Sequence, residues 1–348
     1  MTNFTAEQLL SFGQAVLRAA GASPIEADCV ADELVGANRV GHDSHGVMRL
    51  VQYVQMMDGG FVRPGSRLEI VNQGPSFAVA DGGLNFGQVI MAEVLPLAII
   101  KARQTGTSTI VVRNCNHVGR LGAFTEKLAH EGFVALMAVN SPGPGGVAPF
   151  GGIDRKIGTN PLSIAAPAQP SPLVLDMTTS ATAEGKLRVA FQKGESVPEG
   201  LIIDGHGNPS TNPGDYYSKP FGAILPLGGA MGHKGFGLAV MIDVLCGILS
   251  GSGFGRDDLP RGSNGVWLHL IDVGQIAGRE EYDRWIAGYA AHIKSSRRAP
   301  GVDEILLPGE IESRRQRTRD AEGIPLPDET LRQLNELGAR WGLSLNRP

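Results

Sequence analysis

The hydrophobic pattern of this chain changes its period near residue 68, and that change limits the folds that the chain can adopt. Before it, apolar residues recur at the three- and four-residue spacing of helices, as between Leu9 and Leu17. After it come short runs of β-branched and apolar residues bounded by Gly, Pro and Asn, such as Phe133 to Asn140. Helical patterns separate some of these runs. The sequence therefore predicts a mixed α/β body that is preceded by a helical unit.

The two ends of the chain have similar helical patterns. Near the start, Thr5 is followed three residues later by Gln8, and Ser23-Pro24 is followed by Glu26. Both are capping signals, and they predict two helices, the second of which runs towards residue 39. A third helix is predicted over 47–57, and two more over 309–321 and 329–341. We expect the last two to pack on the first ones, so the predicted domains are residues 1–70 with 301–348, and residues 71–300.

The central body is predicted to contain seven strands, over residues 68–71, 77–80, 109–113, 133–140, 162–165, 173–177 and 266–273. Helices are predicted between some of them, over 88–104, 121–130 and 236–249. The most apolar stretch, Gly235 to Ser250, contains Asp243 and is shorter than the roughly 20 residues of a membrane span. We therefore predict a buried core helix there, and no membrane partner.

Composition and the first residues restrict the class of protein. The 348 residues include 31 Lys and Arg and 35 Asp and Glu, which gives a formal net charge of −4. This balance lacks the basic excess that binding to a phosphate backbone usually needs, so nucleic acid is not expected as a partner. The first twenty residues lack the pattern of a signal peptide, and we expect a cytoplasmic protein. Cys29, Cys115 and Cys246 are far apart and are predicted to be reduced and mostly buried.

One segment matches the spacing of a dinucleotide-binding loop after a predicted strand. It reads Gly-Pro-Gly-Gly-Val-Ala over residues 143–148. In a Rossmann fold such a loop opens a helix whose amides face the pyrophosphate, but Pro149, Gly151 and Gly152 would break a helix here. The segment is therefore not interpreted as a Rossmann turn, and a nicotinamide cofactor would have to bind in another way.

His45 is the first candidate for catalysis. It lies in Gly-His-Asp-Ser-His-Gly over residues 41–46, and Arg49 and Tyr53 follow at intervals of four at a predicted helix opening. An imidazole, a guanidinium and a phenol at one helix end could hold a carboxylate and move a proton. The alternative is a glycine-rich turn with two solvated histidines.

Three further segments carry candidate residues. His117 stands between a predicted strand and a predicted helix, where it is either a second acid or base or a helix cap. Asp176 ends an apolar strand and precedes three hydroxyl residues, which suit a ribose, a phosphate or a simple helix cap. Lys234 lies among glycines before a helix and could bind an anion. Asn160 and the turn at 306–310 are weaker signals.

Together these segments resemble the malate/L-lactate dehydrogenase family, whose members lack a Rossmann fold. The resemblance rests on six motifs in order: Gly-His-Asp-Ser-His-Gly-Val-Met-Arg at 41–49, Asn-His-Val-Gly-Arg at 116–120, Ile-Gly-Thr-Asn-Pro at 157–161, Leu-Asp-Met-Thr-Thr-Ser at 175–180, His-Lys-Gly-Phe-Gly-Leu at 233–238 and Leu-Leu-Pro-Gly-Glu at 306–310. The nearest branch is similar to hydroxycarboxylate dehydrogenase B, through Val-Ala-Pro-Phe at 147–150 and Phe-Gly-Gln-Val at 86–89. The motifs cover nearly the whole chain.

The resemblance implies a fold, a cofactor and a reaction. The fold would combine a non-Rossmann NAD(P)-binding domain, built on a mixed and largely antiparallel sheet, with a helical domain made from both chain termini. The cofactor would be NAD or NADP, with NAD favoured, and the protein a homodimer with its active site near the interface. The reaction would be reversible hydride transfer between nicotinamide and a 2-hydroxy acid or 2-oxo acid.

The resemblance also implies roles for individual residues. His45 and His117 would be the acid/base candidates, and Asp176 would support one of them. The substrate would contact Ser44, Arg49, Tyr53 and Asn160. The cofactor would contact Asn140, Ser141, Asp176, Met177, Thr178, His233, Lys234, Pro308, Gly309 and Glu310. No metal site is implied, and Phe236 stands where many members have Tyr.

Three alternatives remain open on the sequence. One is a cyclic-imine reductase of the same family, acting on piperideine- or pyrroline-2-carboxylate. Another is a metal-dependent hydrolase or lyase that uses His42, His45, His117 and Asp176 as ligands, although no complete ligand motif is present. The third is a binding protein for small molecules without catalytic activity.

Overall fold

The computed structural model describes residues 2–256 and 263–346. Its strands are β1 (Thr2–Phe4), β2 (Glu69–Gln73), β3 (Phe77–Asp81), β4 (Thr107–Cys115), β5 (Phe133–Asn140), β6 (Leu162–Ala166), β7 (Leu173–Met177), β8 (Ile202–Ile203), β9 (Pro209–Ser210), β10 (Ala223–Ile224), β11 (Asn264–Asp272) and β12 (Ile324–Leu326). Its α-helices are α1 (Ala6–Ala19), α2 (Pro24–Arg39), α3 (Arg49–Asp58), α4 (Gly87–Thr105), α5 (Leu121–His130), α6 (Glu184–Lys193), α7 (Gly214–Tyr217), α8 (His233–Ile242), α9 (Val273–Ile276), α10 (Arg279–Lys294), α11 (Glu310–Glu322) and α12 (Asp328–Ala339).

A seven-stranded sheet forms the centre of the body, in the order β2-β3-β4-β11-β5-β6-β7. Only β3 and β4 are parallel, and every other neighbouring pair is antiparallel. Alternate residues of β5 face opposite sides, because side chains alternate along a strand. Met137 and Val139 pack in the core beneath α4 and α5, whereas Ala138 packs against the helix that begins with α8. The predicted mixed, largely antiparallel sheet is confirmed.

Helices from both ends of the chain share one hydrophobic core. Leu9 and Leu17 of α1 lie in the same buried cluster as Leu334 and Leu337 of α12. The short strand β1 also pairs with β12, which joins the two termini directly. The predicted return of the last helices onto the first ones is confirmed, while domain boundaries at residues 70 and 300 stay predictions. The pairing of β1 with β12 was not predicted, because three residues are too few for a period-2 pattern.

The predicted capping boxes at the first two helices are both present. The Gln8 amide donates to the Thr5 hydroxyl, and the Thr5 amide donates to the Gln8 side chain. Ser23 and Glu26 make the same reciprocal pair at α2. Each box satisfies two backbone donors that helix geometry leaves without an internal partner. Local sequence therefore decides where these helices begin.

The prediction of a buried core helix over residues 235–250 is wrong. α8 continues into a π-helical turn at Asp243–Ile248, and only one side of this rod is buried. Ile242 and Cys246 pack on Ala138 of the sheet. On the outer side, Met241 is 53% exposed and Ile248 is 60% exposed. The segment is apolar on all sides, but within a single chain only its inner side packs against other residues.

Residues 143–148 do not open a helix, as their context predicts. Val147 instead forms bridges to Ile157 and Ile224, so the segment crosses towards the small sheet of β8, β9 and β10. Neither that small sheet nor α10 was predicted, because their strands are two residues long and α10 buries no residue completely. None of the helices in residues 2–256 and 263–346 is long and apolar enough to cross a membrane.

Candidate active site

The loops that carry the candidate residues leave the sheet at one end. Cys115 at the end of β4 pairs with Asn264, and the neighbouring Gly265 pairs with Asn140 at the end of β5. Met177 at the end of β7 pairs with Leu162 of β6, which in turn pairs with β5 close to Asn140. The loops after β4, β5 and β7 therefore share one edge of the sheet. Rigid strands hold these loops in place, which is how α/β proteins usually present reactive side chains.

His45 lies in a short 3₁₀ turn, Asp43–His45, between α2 and α3. Side chains from distant parts of the chain hold this turn. The Asn38 carboxamide donates to Asp43 and accepts from the Val47 amide, at 2.7 and 2.8 Å. Arg319 of α11 makes two further bonds to the Asp43 carboxylate, at 2.6 and 2.9 Å. The turn that presents His45 is therefore fixed by helix α11, from near the C-terminus, as well as by its own neighbours.

His45 and His117 face each other across the cleft. Their rings are stacked, with centroids 5.5 Å apart and planes inclined by 13°. His117 Nδ1 lies 2.6 Å from the Tyr53 hydroxyl, and His45 Nδ1 lies 3.1 Å from the Ser44 hydroxyl. Both rings are half-buried. Two segments that are 72 residues apart thus bring two imidazoles to one place, as the sequence interpretation required.

Both imidazoles are neutral near pH 7. Burial, followed by the positive charge of Arg49, lowers the pKa of His45 to about 3. The same two causes lower the pKa of His117 well below its usual value. Neither ring hydrogen-bonds to a carboxylate within the described residues, and a carboxylate is the usual partner that would favour the charged form. The fixed positive charge in the cleft is therefore the guanidinium of Arg49.

Arg49 is held from two sides at the start of α3. Its Nε donates to the backbone oxygen of Ser44, and its Nη1 donates to Gln52, both at 2.6 Å. Nη2 has no partner within the described residues. Helix α6 closes this side of the cleft, since a Cβ on Gly185 would lie 2.9 Å from the Ser44 Cβ. The guanidinium is thus oriented while part of it stays available to an anion.

The predicted support of a histidine by Asp176 is wrong. The Asp176 carboxylate accepts from the Gly122 amide at 2.7 Å and lies 3.8 Å from Arg120 Nε. Neither His45 nor His117 hydrogen-bonds to it. Burial raises its pKa, although the Gly122 amide acts in the opposite direction. Asp176 caps the start of α5 because β7 ends beside that helix, a pairing that the sequence separation of 54 residues conceals.

Three other residues that were predicted to contact a ligand are buried and hydrogen-bonded to the protein, so their ligand contacts stay predictions. Tyr53 is 2% exposed, and its hydroxyl binds His117 rather than lying open to a substrate. Asn160 is 1% exposed, and its amide donates to the Ala239 carbonyl. The Asn140 side chain donates to Asp243 and accepts from the Gly265 amide. These side chains anchor the walls of the site, and the Asn160 Oδ1 atom is the only one of their polar atoms without a hydrogen-bond partner in the described part of the chain.

The remaining predicted cofactor residues lie on surfaces that a ligand can reach. Met177, Thr178, Gly309 and Glu310 are half-buried, and Ser141, His233, Lys234 and Pro308 are exposed. The Pro308 carbonyl accepts from the Val174 amide, which places this turn beside β7. The Gly235 Cα lies against the Leu227 backbone, which bonds to Thr179. The turn at 308–310 and the start of α8 are thus both tied to the segment at 174–179.

The metal-dependent alternative has no ligand set in the described part of the chain, where no three His, Cys, Asp or Glu side chains converge suitably. His42 Nε2 instead lies 3.4 Å from Glu312 of α11. His45 and His117 bond to hydroxyls, and Asp176 bonds to an amide. The four residues of that alternative therefore have separate partners.

Sequence reasoning missed several residues that build the site. Gln88 of α4 donates to the Tyr53 hydroxyl at 2.8 Å, Arg120 is buried beside Asp176, and Asn38 and Arg319 hold the His45 turn. The sequence signal for such residues is a polar side chain within a predicted helix at a position that faces the core. Asn38 and Gln88 both fit this description. The signal does not say what such a residue contacts.

Comparison with known protein families gives a match over most of the chain. The sequence model of the family described as malate/L-lactate dehydrogenase matches residues 4–335. Among curated proteins, the malate dehydrogenase of Pyrococcus horikoshii is 39% identical over 345 residues, which covers 97% of this chain and 95% of that protein. Hydroxycarboxylate dehydrogenase B of Escherichia coli K12 is 38% identical over 330 residues, covering 93% and 90%.

Solved structures agree with these sequence matches. The structure of malate dehydrogenase from Pyrococcus horikoshii OT3 superposes with a TM-score of 0.89 at 35% identity, covering 98% of this chain and 96% of that one. The structure of Δ1-piperideine-2-carboxylate reductase from Pseudomonas syringae superposes with a TM-score of 0.83 at 29% identity, covering 97% and 100%. The similarity therefore extends over the whole fold.

Proposed function

The chain belongs to the malate/L-lactate dehydrogenase family, and we propose that the cleft between His45 and His117 is the site where it exchanges a hydride between a nicotinamide dinucleotide and C2 of a 2-hydroxy or 2-oxo acid. It is an oxidoreductase that acts on the CH–OH group of its donor. The observation that carries the proposed site is the stacked pair of imidazoles beside Arg49. No other place in the described residues combines a fixed cation with two titratable rings in this way.

Arg49 is the proposed clamp for the substrate carboxylate. Its bonds to Ser44 and Gln52 occupy Nε and one hydrogen of Nη1, which leaves the Nη1–Nη2 edge for two parallel bonds. A carboxylate held along that edge has its C2 carbon fixed in one orientation. Such pre-orientation accounts for a large share of rate enhancement in bimolecular reactions. The clamp thus determines which face of C2 receives the hydride.

The charge of a bound carboxylate would also change the pKa of the two histidines. Arg49 is one of the groups that keep both imidazoles neutral. Burial is the larger cause of the low pKa values, and a carboxylate paired with Arg49 removes the second cause and so raises the pKa of both rings. An imidazole can then give a proton to the substrate oxygen during reduction and take it back during oxidation. Acid/base assistance of this kind contributes about 10² to 10⁴ in rate.

The residues around the cleft fit a nicotinamide dinucleotide. Arg120 is buried beside Asp176, and its positive charge adds to the field that acts on His45. Thr178, Lys234 and the turn at 308–310 offer a hydroxyl, a cation and a backbone cradle, respectively. When bound, the nicotinamide supplies or accepts the hydride. The cofactor is proposed to be NAD or NADP, and an assay with both compares the two.

A screen of substrates and cofactors tests this function. Purified protein is assayed spectrophotometrically with NAD and NADP against malate, lactate and sulfolactate, and with the reduced cofactors against the corresponding 2-oxo acids. We expect turnover with at least one pair, and loss of turnover of about 10² or more in a double His45→Gln, His117→Gln variant. Absence of turnover with every pair, or an undiminished double variant, would contradict the proposal.

A second candidate is reduction of a cyclic imino acid. It is favoured by the close structural match to Δ1-piperideine-2-carboxylate reductase. The same clamp and acid would serve, because such a substrate carries a carboxylate next to its C=N bond. Adding piperideine- and pyrroline-2-carboxylate to the screen decides between the two by the ratio of kcat/KM values.

We also propose that two copies of the chain associate through the outer side of α8 and its π-helical turn. Leu238, Met241, Val244 and Ile248 are exposed there, although the segment is apolar. Exposed apolar patches of this kind mark association surfaces. Because α8 begins at His233 and Lys234, such an interface would lie close to the proposed cofactor site. The cytoplasmic location stays a prediction.

A further inference from the structure

We propose that Arg188 of α6 binds a second acidic group of the substrate, so that the enzyme prefers 2-hydroxy and 2-oxo acids with a carboxylate or sulfonate beyond C2. The inference rests on the proposed function and names the class of substrate that the same cleft takes. Arg49 would hold the carboxylate next to C2, and Arg188 would hold the acidic group at the other end. None of the six sequence motifs contains Arg188.

Helix α6 faces the cleft with the side that carries Gly185. Leu187 anchors the opposite side, because it is fully buried in the core of the small sheet. Gly185 lies against the turn that carries His45, where an added Cβ would come within 2.9 Å of the Ser44 Cβ. Arg188 is three residues further along and therefore lies on the same side of the helix as Gly185. Long side chains of a helix point back toward its N-terminus, so the guanidinium covers the turn around Gly185.

Two neighbours hold the guanidinium of Arg188 in this place. Its Nη2 and Nε donate to one oxygen of the Glu184 carboxylate, at 2.8 and 3.2 Å. The Tyr217 hydroxyl donates to the same oxygen at 3.0 Å, which ties the pair to α7. Of the five N–H donors of a guanidinium, Glu184 thus takes two and Tyr217 can take a third, which leaves two for an anion. The side chain is oriented, and it keeps donors for a ligand.

The charge of Arg188 reaches the space in front of Arg49. Burial is the largest cause of the lowered pKa of Arg49, and the positive charge of Arg188 is a further cause, which Glu184 partly offsets. Two guanidiniums that repel each other across one cleft are both stabilised when each pairs with an anionic group. A substrate with an acidic group at both ends therefore complements the charges of the cleft better than one with a single carboxylate.

Arg188→Gln tests the proposal through the choice between two 2-oxo acids. Oxaloacetate has a second carboxylate, whereas 2-oxobutyrate has a similar chain without one. We expect kcat/KM for oxaloacetate to fall by about 10-fold or more, as on loss of a charge-assisted hydrogen bond, and kcat/KM for 2-oxobutyrate to stay as in the wild type. Adding 3-sulfopyruvate to the assay shows whether a sulfonate or a carboxylate is preferred. Equal losses for charged and uncharged acids would overturn the inference.

Arg279→Gln is the matched control. Arg279 forms the same kind of i,i+4 ion pair, with Asp283 of α10, and its side chain is 46% exposed against 48% for Arg188. It lies beside Gly132, before the start of β5, whereas the cleft lies at the other end of that strand. We expect this variant to keep the wild-type ratio of the two kcat/KM values. A fall of the ratio as large as in Arg188→Gln would reveal a general effect of charge and contradict a site at Arg188.

Glu184→Gln is expected to act in the opposite direction. The amide has nearly the same size as the carboxylate but no charge, so it no longer competes with the substrate for Arg188. We expect kcat/KM for oxaloacetate to rise while that for 2-oxobutyrate stays unchanged. If Glu184→Gln instead lowers the ratio as Arg188→Gln does, the pair is only structural and the inference fails.

Binding measurements decide the inference without turnover. Malate and 2-hydroxybutyrate are titrated calorimetrically into protein with saturating reduced cofactor, where a 2-hydroxy acid cannot react. We expect malate to bind about 10-fold or more tightly in the wild type, and Arg188→Gln to remove the difference. Equal binding of the two acids to the wild type would overturn the inference. If malate binds more tightly but no 2-oxo acid is reduced, the proposed function fails and the inference stands.

Discussion

Two imidazoles in this cleft are partly buried, and neither has a carboxylate partner within the described residues that would stabilise its protonated form. His45 bonds to Ser44 and His117 to Tyr53, both through hydroxyls, and Arg49 adds a positive charge to the same space. Each of these features favours the neutral ring. The site is therefore arranged so that a negatively charged substrate completes it.

The low pKa of His45 predicts that stability decreases on acidification. The folded-state pKa is about 3, whereas an unfolded histidine titrates near 6.5. Below pH 6.5 the histidine therefore binds a proton in the unfolded chain but stays neutral in the folded chain. Its contribution to the free energy of unfolding is lost as the pH falls towards 3. Between pH 7 and pH 5 we expect the free energy of unfolding to fall by up to about 2 kcal/mol on account of this residue. Urea unfolding at the two pH values measures the change.

The matched comparison for that prediction is the variant His45→Gln, which cannot titrate. Its free energy of unfolding should depend less on pH between 7 and 5 than that of the wild-type protein. Equal pH dependence in the two proteins would show that His45 is not kept neutral by the fold.

Arg49→Lys tests the carboxylate clamp. Lysine keeps the charge but cannot form two parallel bonds, so a charge-assisted bond of about 1.5 to 3 kcal/mol is lost. We expect kcat/KM for the acid substrate to fall by about 10- to 150-fold. Steady-state kinetics at saturating cofactor measure the change. The control is Arg18→Lys, which alters an exposed arginine of α1 that pairs with Asp28. A loss of similar size in both variants would contradict a specific role for Arg49.

At the scale of elements, the 41–46 turn is positioned by helices from both ends of the chain. α2 supplies Asn38, and α11 supplies Arg319, whose guanidinium bonds to Asp43 and to the Asn38 carbonyl. Glu312 of α11 also approaches His42. The helical layer thus does more than enclose a core, because its packing sets the position of His45 relative to the sheet that carries His117.

Gly46→Ala tests this packing. A Cβ on Gly46 would overlap the Asn38 carboxamide, so either the turn or Asn38 must move. Overpacking of this kind costs about 1 to 3 kcal/mol, and we expect a decrease of that size in the free energy of unfolding together with a lower kcat. Urea unfolding and steady-state kinetics provide the two readouts.

Gly36→Ala is the control for that experiment. Gly36 lies within α2, and a Cβ there has no neighbour within 4 Å. Because alanine is the better helix former, we expect a gain of about 0.5 to 1 kcal/mol and unchanged kinetics. If both alanine variants behave alike, the contact between Gly46 and Asn38 does not restrain the turn.

At the scale of the whole molecule, the segment from α8 to Ile248 is an apolar element with one side uncovered in a single chain. Its inner side packs on the sheet through Ile242 and Cys246, and its outer side exposes apolar residues. Residues that are apolar all round a helix are typical of an element with partners on every side. A second copy of the chain would supply the missing partner and would bring the two proposed cofactor sites near the interface.

The double variant Met241→Asp, Ile248→Asp tests the proposed dimer. Two carboxylates at an apolar interface would lose hydration without gaining partners, so we expect dissociation to monomers. Sedimentation equilibrium measures the mass. The control is Ile25→Asp, which changes an equally apolar and 81% exposed residue on α2. A wild-type protein that sediments as a monomer, or a double variant that stays dimeric, would contradict the proposed interface.

The sequence by itself determined most elements of the two cores and the segments that meet at the cleft. Helix starts at Thr5 and Ser23, the seven strands of the central sheet, and the convergence of His45 with His117 were predicted, because capping, period and motif order are local properties of each segment. The absence of a Rossmann turn also followed locally, from Pro149 and its neighbouring glycines.

The tertiary structure alone decided the partners of the polar side chains. Asp176 was expected beside a histidine and lies on the Gly122 amide, and Tyr53 was expected on the substrate and lies between Gln88 and His117. It also decided that the apolar α8 segment has one uncovered side. The reason is physical: a hydrogen bond or a packed face depends on which distant residue arrives within a few ångströms, and the pattern of one segment holds no information about the position of another.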